Sequence, residues 1–181
     1  MARKTRIGIQ SVLNVARDVF LEDGYGASTK KIARRAGISE SLLFVRHHSK
    51  QALFFAAMMP PPFALPDQQR DLDMPALAVE VLRYFRHAGP MLMQLVTHPA
   101  FDLSRISEED NPLPMRAIMS AIRRALAGAQ AKTAQRADNN IGAAVVALLA
   151  ILYGLAQLER MGLSKGHFPD SFVRQVVDLI T

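Results

Sequence analysis

The chain has 181 residues, half of them apolar, which suits one or two domains with a substantial hydrophobic core. It contains no cysteine, which excludes disulfide frameworks, thiolate metal sites and cysteine nucleophiles. Residues 1–58 hold ten Lys/Arg against four Asp/Glu, whereas residues 59–181 hold twelve of each, so the whole net charge of +6 lies in the first third. This asymmetry favours an anionic partner for the N-terminal segment, with solvated surface lysines as the alternative.

Near the N-terminus, polar residues interrupt every apolar run that could form the core of a signal peptide, namely Gln10, Asn14 and Arg17. We therefore expect a cytoplasmic protein. Proline use changes further along, because none of the ten prolines precedes residue 60 and four then fall within MPPPFALP. A triple proline cannot continue a helix and favours an extended spacer. The sequence thus predicts two domains, residues 1–58 and residues 59–181.

Both segments have the periodicity of helices, with no sustained alternation and no Asn-Gly hairpin, so the predicted fold is all-α. In the first segment we predict a helix over about 6–23, a short second helix from Ser28 or Thr29 to Gly37, a third over 40–47 capped by Ser39, and a fourth from Ser49 to the prolines. In the second segment the predicted helices are 75–88, 90–98, 113–130, 138–161 and 170–180.

The second and third helices, joined through AGIS, form a helix-turn-helix pattern. Within the third helix, Leu43 and His47 are four residues apart and share the inward face. The opposite face then presents Ser41, Leu42, Val45 and Arg46, which can hydrogen-bond guanine and other base edges and meet thymine methyl groups. Hydroxyl and ammonium groups suited to phosphate lie around it, at or near helix N-termini: Thr29, Lys30, Lys31, Ser49 and Lys50.

The stretch from about Ile9 to Leu53, with VFLEDGY, IARRAGIS, LLF and SKQALF in this order, resembles the DNA-binding domain of the TetR family of transcriptional regulators. The resemblance implies an all-α homodimer with an N-terminal three-helix helix-turn-helix domain and a C-terminal helical ligand-binding and dimerisation domain. It also implies that the third helix enters the major groove of a palindromic operator and that an effector releases the DNA. The residues that it assigns to DNA binding, with their neighbours, are Thr29, Lys30, Ser39, Ser41, Leu42, Phe44, Val45, Arg46, His48 and Lys50.

Two positions of the third helix differ from the family pattern. Phe44 stands where the family usually has a phosphate-bonding tyrosine, so it can only pack against the sugar or the backbone. His47 stands where the family usually has an inward phenylalanine. We expect either a core histidine with satisfied hydrogen bonds or a loosened recognition helix.

The longest apolar run, residues 141–158, reaches the lower length of a membrane span. Its many glycines and alanines and the lack of a basic cluster at its ends favour a buried helix without membrane contact. By the family resemblance, helices 138–161 and 170–180 form the homodimer interface. Effector contacts are expected from methionines, aromatics and two histidines, although such residues also form ordinary cores: Tyr84, Phe85, His87, Met91, Met93, His98, Phe101, Met115 and Met119.

Catalytic motifs are lacking. The sequence has no phosphate-cradling glycine loop and no GxSxG elbow, and the adjacent His47 and His48 do not have metal-ligand spacing. We therefore expect no enzyme activity, no cofactor and no metal. The leading hypothesis is a ligand-responsive regulator, most often a repressor, that binds double-stranded DNA and a small apolar or aromatic effector. The alternative is a helical protein-interaction module, or a lipid or small-molecule carrier, with a structural helix-turn-helix.

Overall fold

The structure is a computed structural model that describes residues 8–65, 73–102, 113–133 and 141–180. These residues form helices and connecting segments without any strand, which confirms the all-α prediction. The helices are α1 (Ile9–Asp23), α2 (Thr29–Arg35), α3 (Glu40–His47), α4 (Lys50–Met58), α5 (Met74–Val96), α6 (Met115–Thr133), α7 (Ile141–Arg160) and α8 (Asp170–Asp178).

The chain forms two compact units. The first comprises residues 1–60 and 90–111, and the second comprises residues 61–89 and 112–181. The change at residues 60 and 61 lies within the proline run, as the sequence suggests. The grouping of residues 90–111 with the N-terminal segment was not expected from the sequence. The division into a DNA-binding domain, residues 1–58, and a ligand-binding and dimerisation domain, residues 59–181, stays a prediction.

In the first unit, α1 supplies one side of the core. Val12, Ala16, Val19 and Phe20 recur at helical spacing and are fully buried. The ring of Phe20 meets that of Phe54 of α4 edge to face, with 5.1 Å between the centroids. Arg17 Nε donates a hydrogen bond of 2.9 Å to the carbonyl of Ala57, near the C-terminal end of α4, where a positive charge is favourable. Together these contacts fix α4 against α1.

Helix α5 corrects the sequence prediction of two separate helices over 75–88 and 90–98. A single helix runs through Pro90, which was predicted to lie in a first helical turn. Proline cannot donate to the carbonyl four residues earlier, which costs helix stability. Buried side chains on both sides of it keep the helix continuous, because apolar burial outweighs the lost hydrogen bond: Phe85, Ala88, Met91, Leu92 and Leu95. The change from the second unit to the first falls at Pro90.

In the second unit, α6 packs on α7. Ile118 and Ile122 of α6 and Leu148 and Leu152 of α7 are fully buried. The predicted helix 138–161 begins at Ile141 among the described residues, and residues 138–140 lie outside them. Helix α8 ends at Asp178, slightly earlier than the predicted residue 180.

Helix α7 is long and apolar enough by composition to cross a membrane, with a mean hydropathy of 2.2. Only 28% of its most apolar window is buried. A single helix of this kind is weak evidence for a membrane span, since interior helices of helical proteins pass the same test. Val146 and Leu158 are exposed in the single chain, and the expectation that this helix is buried in a dimer interface stays a prediction.

Candidate DNA-binding interface

The turn between α2 and α3 follows the predicted pattern. Gly37 has a φ of 68°, a left-handed conformation that glycine adopts without steric cost. The backbone N–H of Ile38 donates to the carbonyl of Ala33 at 3.0 Å, which closes the end of α2. Ser39 Oγ accepts a hydrogen bond of 3.2 Å from the N–H of Leu42 and so caps α3. The cap and the glycine turn fix where α3 begins.

The two faces of α3 are arranged as its spacing predicts. Leu43 points inward and is 1% exposed, whereas Val45 is 71% exposed. Leu42 and Phe44 are also exposed, as is Ser41. Arg46 is half-buried and contacts other residues of the protein. Exposed aliphatic side chains next to an arginine and serines are unfavourable as plain solvent surface, and they match the groups that read base edges in a major groove.

The hydroxyls of Ser39 and Ser49 lie at the N-termini of α3 and α4. Ser49 Oγ accepts a hydrogen bond of 3.0 Å from the N–H of Ala52, as Ser39 does from Leu42. An oxygen that accepts a capping bond keeps its own proton for donation, so each hydroxyl can still bond a phosphate oxygen. Lys30 is exposed, and the ammonium of Lys50 lies 4.9 Å from the centroid of the Tyr25 ring.

Thr29 differs from the expectation for a phosphate donor. Its hydroxyl donates a hydrogen bond of 2.6 Å to Oε1 of Glu40, which joins the start of α2 to the start of α3. The predicted contact of Thr29 with phosphate through its hydroxyl therefore requires this bond to break. Lys31 and Arg35 face the other way, toward Glu22, which pairs with both. Their bonds lower the pKa of Glu22, with the hydrogen bond from Arg35 as the largest cause.

The two histidines at the end of α3 have different surroundings. Nε2 of His47 is buried and has no hydrogen-bond partner among the described residues, in contrast to the expected core histidine with satisfied hydrogen bonds. Burial, together with the positive charges of Arg46 and His48, lowers the pKa of His47. His48 is exposed and ends α3 with a φ of 59°, and its N–H donates to the carbonyl of Phe44 at 2.7 Å. Of the two, His48 is the one available to DNA.

The residues predicted to contact an effector do not belong to one compact unit. Tyr84, Phe85, His87, Met115 and Met119 lie in the second unit, and Met91, Met93, His98 and Phe101 lie in the first. Phe85 and Met91 are fully buried, whereas His87 and Met93 are exposed. The Tyr84 hydroxyl donates 2.6 Å to the carbonyl of Pro61, and burial raises the pKa of Tyr84 to about 12.

An open groove of about 520 Å³ lies in the second unit, and none of the predicted effector residues is among its lining residues. It is lined by Phe63, Ala64, Leu65, Ala117, Ser120, Ala121 and Arg124. Arg124 donates a hydrogen bond of 2.9 Å to Ser120 one turn earlier on α6. Sequence reasoning missed the groove because it depends on the segment after the prolines lying against α6. Within the described ranges, no group of three or more His, Asp or Glu side chains could hold a metal ion.

The described residues thus form a helix-turn-helix unit and a second, helical unit. Residues 12–57, a quarter of the chain, match the family model described as bacterial regulatory proteins, tetR family. No curated protein matches the chain.

Solved structures of similar fold cover nearly the whole chain. PfmR, a TetR-family transcriptional regulator from Thermus thermophilus, is 18% identical with a TM-score of 0.56, over 93% of this chain and 96% of that one. Salmonella enterica GusR is 18% identical with a TM-score of 0.57, over 94% and 93%. A third solved structure, described by the words "molecular basis for control of antibiotic production" by bacterial hormones, is 20% identical with a TM-score of 0.56. The match covers 99% of this chain and 97% of that one.

At such identities the solved structures show the fold, and the family model identifies the DNA-binding domain. This confirms the resemblance to the TetR family for the DNA-binding domain, and nearly the whole chain shares its fold with the solved structures.

Proposed function

We propose that this protein is a ligand-responsive repressor that binds a palindromic DNA operator as a dimer and leaves it when a small effector binds. The observation that carries the proposal is the outward face of α3, where Leu42 and Val45 are exposed beside Arg46 while Leu43 anchors the helix inside. A helix inserted in this way reads bases with Arg46 and Ser41 and contacts thymine methyl groups with Leu42 and Val45.

Dimerisation through α7 and α8 is supported by apolar side chains on the surface of both helices. Val146 is 55% exposed on α7, and Leu158 and Phe172 are exposed on α7 and α8. A two-fold interface buries such residues against their copies. It would place the two α3 helices on half-sites about one helical turn, roughly 34 to 36 Å, apart.

The groove beside α6 is our candidate for the effector site. Phe63 and Leu65 offer apolar surface, and Arg124 and Ser120 offer hydrogen-bond donors. Concave apolar surface with a few polar groups is typical of small-molecule sites. These groups favour a small, largely apolar or aromatic effector that has an oxygen acceptor for Arg124.

Selection of bound sequences from random double-stranded DNA, with the full-length protein, tests the function. We expect a palindrome whose half-sites are about one helical turn apart. Salt-sensitive binding without sequence preference would instead favour the alternative, a helical interaction or carrier module whose helix-turn-helix is structural.

A further inference from the structure

Residues 90–101 pack within the first unit, although they follow the DNA-binding helices by more than thirty residues. Gln94 Nε2 donates a hydrogen bond of 2.9 Å to the carbonyl of Phe20, in the last turn of α1. Along α5, Met91 lies three residues before Gln94 and Leu95 lies one residue after it, and both side chains are buried. These contacts fix the last turns of α5 in the first unit. His98, which comes shortly after the end of α5, therefore lies against the DNA-binding helices.

His98 lies inside a cluster of three aromatic rings. Its ring centroid is 4.4 Å from that of Tyr25 and 5.0 Å from those of Phe54 and Phe55. Nδ1 of His98 accepts a hydrogen bond of 3.1 Å from the N–H of Ala100, which sets the rotation of the ring. Nε2 of His98 is buried and has no hydrogen-bond partner within the part of the chain that the structure describes. A polar atom left unpaired inside a packed cluster lowers the stability of the fold.

Tyr25 connects this cluster to the predicted DNA contacts. Its ring is perpendicular to both His98 and Phe54, with interplanar angles of 82° and 83°. Two edge-to-face neighbours hold the ring of Tyr25 in one orientation, although its residue is partly exposed. Lys50 Nζ lies over this ring, 4.9 Å from the centroid, at a distance suited to a cation–π interaction.

We propose that His98 is a positioning residue for DNA binding, which acts through the Tyr25 ring to hold the Lys50 ammonium ready for a DNA phosphate. This inference rests on the proposed function, since it assumes that Lys50 at the start of α4 contacts phosphate. A free lysine side chain loses rotational freedom when it binds, and a lysine already held over a ring loses less. The ammonium keeps its N–H groups for the phosphate, because a ring face does not use them up as an acceptor oxygen would.

A double-mutant cycle with the full-length protein tests the proposal. The binding of a fixed duplex is measured over a series of salt concentrations for wild type, His98→Ala, Lys50→Ala and the double variant. We expect His98→Ala to weaken binding about three- to tenfold and to lower the salt slope by up to about 0.9, the value for one phosphate contact. In the His98→Ala background, Lys50→Ala should then have little further effect.

Two further variants separate positioning from general packing. His98→Phe keeps a ring against Tyr25 and should restore the wild-type salt slope. Phe101→Ala removes another ring of the same cluster, one that contacts Phe55 at 6.2 Å between centroids. In the Phe101→Ala background, Lys50→Ala should weaken DNA binding as much as it does in the wild type. Equal coupling of Lys50 to Phe101 and to His98 would overturn the proposal, since it would indicate only a loosened domain.

Circular dichroism and thermal melting establish that each variant is folded at the assay temperature. If His98→Ala is not folded, Tyr25→Leu takes its place in the cycle, because it removes the ring face under Lys50 at a partly exposed position. Full, additive effects of Lys50→Ala in either background would overturn the proposal. Wild-type protein that binds no DNA at any salt concentration would instead contradict the proposed function itself.

Discussion

The hydroxyl of Thr29 donates a 2.6 Å hydrogen bond to Glu40, so the first turn of α2 is joined to the first turn of α3 through a carboxylate. The acidic side chain is favourable at a helix N-terminus, but it brings negative charge to the surface proposed to meet phosphates. Stability of the helix-turn-helix and affinity for DNA therefore place opposite demands on this position.

Glu40→Gln should tighten DNA binding by roughly two- to tenfold at low salt, with a smaller gain as salt screens the charge. The amide oxygen of glutamine can still accept the bond from Thr29. Fluorescence anisotropy with a labelled duplex over a salt series measures the effect. Thr29→Val is the matched control, because it breaks the hydrogen bond between the two residues but keeps the charge of Glu40. If Thr29→Val tightens binding as much as Glu40→Gln, the charge of Glu40 is not the cause.

Removal of the Arg46 side chain should change the base preference of DNA binding, whereas removal of the Lys50 side chain should change the affinity for all sequences. Arg46→Ala should cost about 1 to 3 kcal/mol on the preferred sequence and relax the choice of base, because a bidentate arginine discriminates guanine. Lys50→Ala should weaken all sequences alike and reduce the salt slope by about one contact. Competition assays with single-base operator variants measure the difference. A uniform loss for Arg46→Ala on every sequence would show that Arg46 binds the backbone.

His47 should lower the stability of the domain, because its buried Nε2 has no hydrogen-bond partner in residues 8–65, 73–102, 113–133 and 141–180. His47→Phe should raise the free energy of unfolding by about 1 to 3 kcal/mol, the usual cost of an unpaired buried polar atom. Urea denaturation of both proteins at neutral pH measures this. His48→Gln is the control, since His48 is exposed and the change should be near neutral.

The same histidine gives a pH dependence. Its folded-state pKa is below the ordinary value of 6.5, chiefly through burial, so the unfolded chain binds more protons as the pH falls through 6.5. Wild-type stability should thus decrease from neutral to mildly acidic pH by more than that of His47→Phe. Parallel decreases in the two proteins would assign the pH dependence to other groups.

The parts of the fold that are set locally could be predicted from the sequence. The faces of α3 follow from helical spacing, and its start follows from Gly37 and Ser39, because each depends on neighbours within a turn or two. The missing partner of His47 Nε2 could not be predicted, since spacing gives the direction of a side chain and not the atoms around it.

Features that depend on distant parts of the chain were also missed. The contacts of His98 with Tyr25 and Phe54 could not be predicted, because these residues are more than forty positions away in the sequence. Pro90 was predicted to start a helix, but tertiary burial keeps α5 continuous through it. That prediction is wrong because long-range packing outweighs a local signal.

A buried carboxylate fastens the segment between α7 and α8. The side chain of Glu159 is 4% exposed and accepts hydrogen bonds from Arg86 at 2.8 and 2.9 Å and from the N–H of Phe168 at 2.6 Å. His167 Nδ1 lies 2.9 Å from the same carboxylate. Burial alone would raise the pKa of Glu159, but the bonds from Arg86, His167 and Phe168 lower it to about 2.

Glu159→Gln should cost about 3 to 5 kcal/mol at neutral pH, because it leaves the Arg86 charge without its partner. The depressed pKa means that this stabilisation is present above 4.5, the ordinary value, and is lost as the pH falls toward 2. Urea denaturation at pH 7 and pH 3 should show the gap between wild type and variant narrowing. Glu80→Gln is the control, because Glu80 pairs with Arg83 and its side chain is more exposed than that of Glu159. It should cost less than about 1 kcal/mol. Equal costs for the two variants would mean that burial adds nothing to the Arg86 pair.

Val146→Glu should convert the proposed dimer to monomer. Val146 is 55% exposed on α7, and a two-fold interface would bring the two introduced carboxylates together in a desolvated place, where like charges repel strongly. Analytical ultracentrifugation at micromolar protein should show the lower mass, and affinity for the palindromic operator should fall with it. Leu163→Glu is the control, because Leu163 is 68% exposed and follows the end of α7. A Val146→Glu protein that stays dimeric would place the interface elsewhere than on α7.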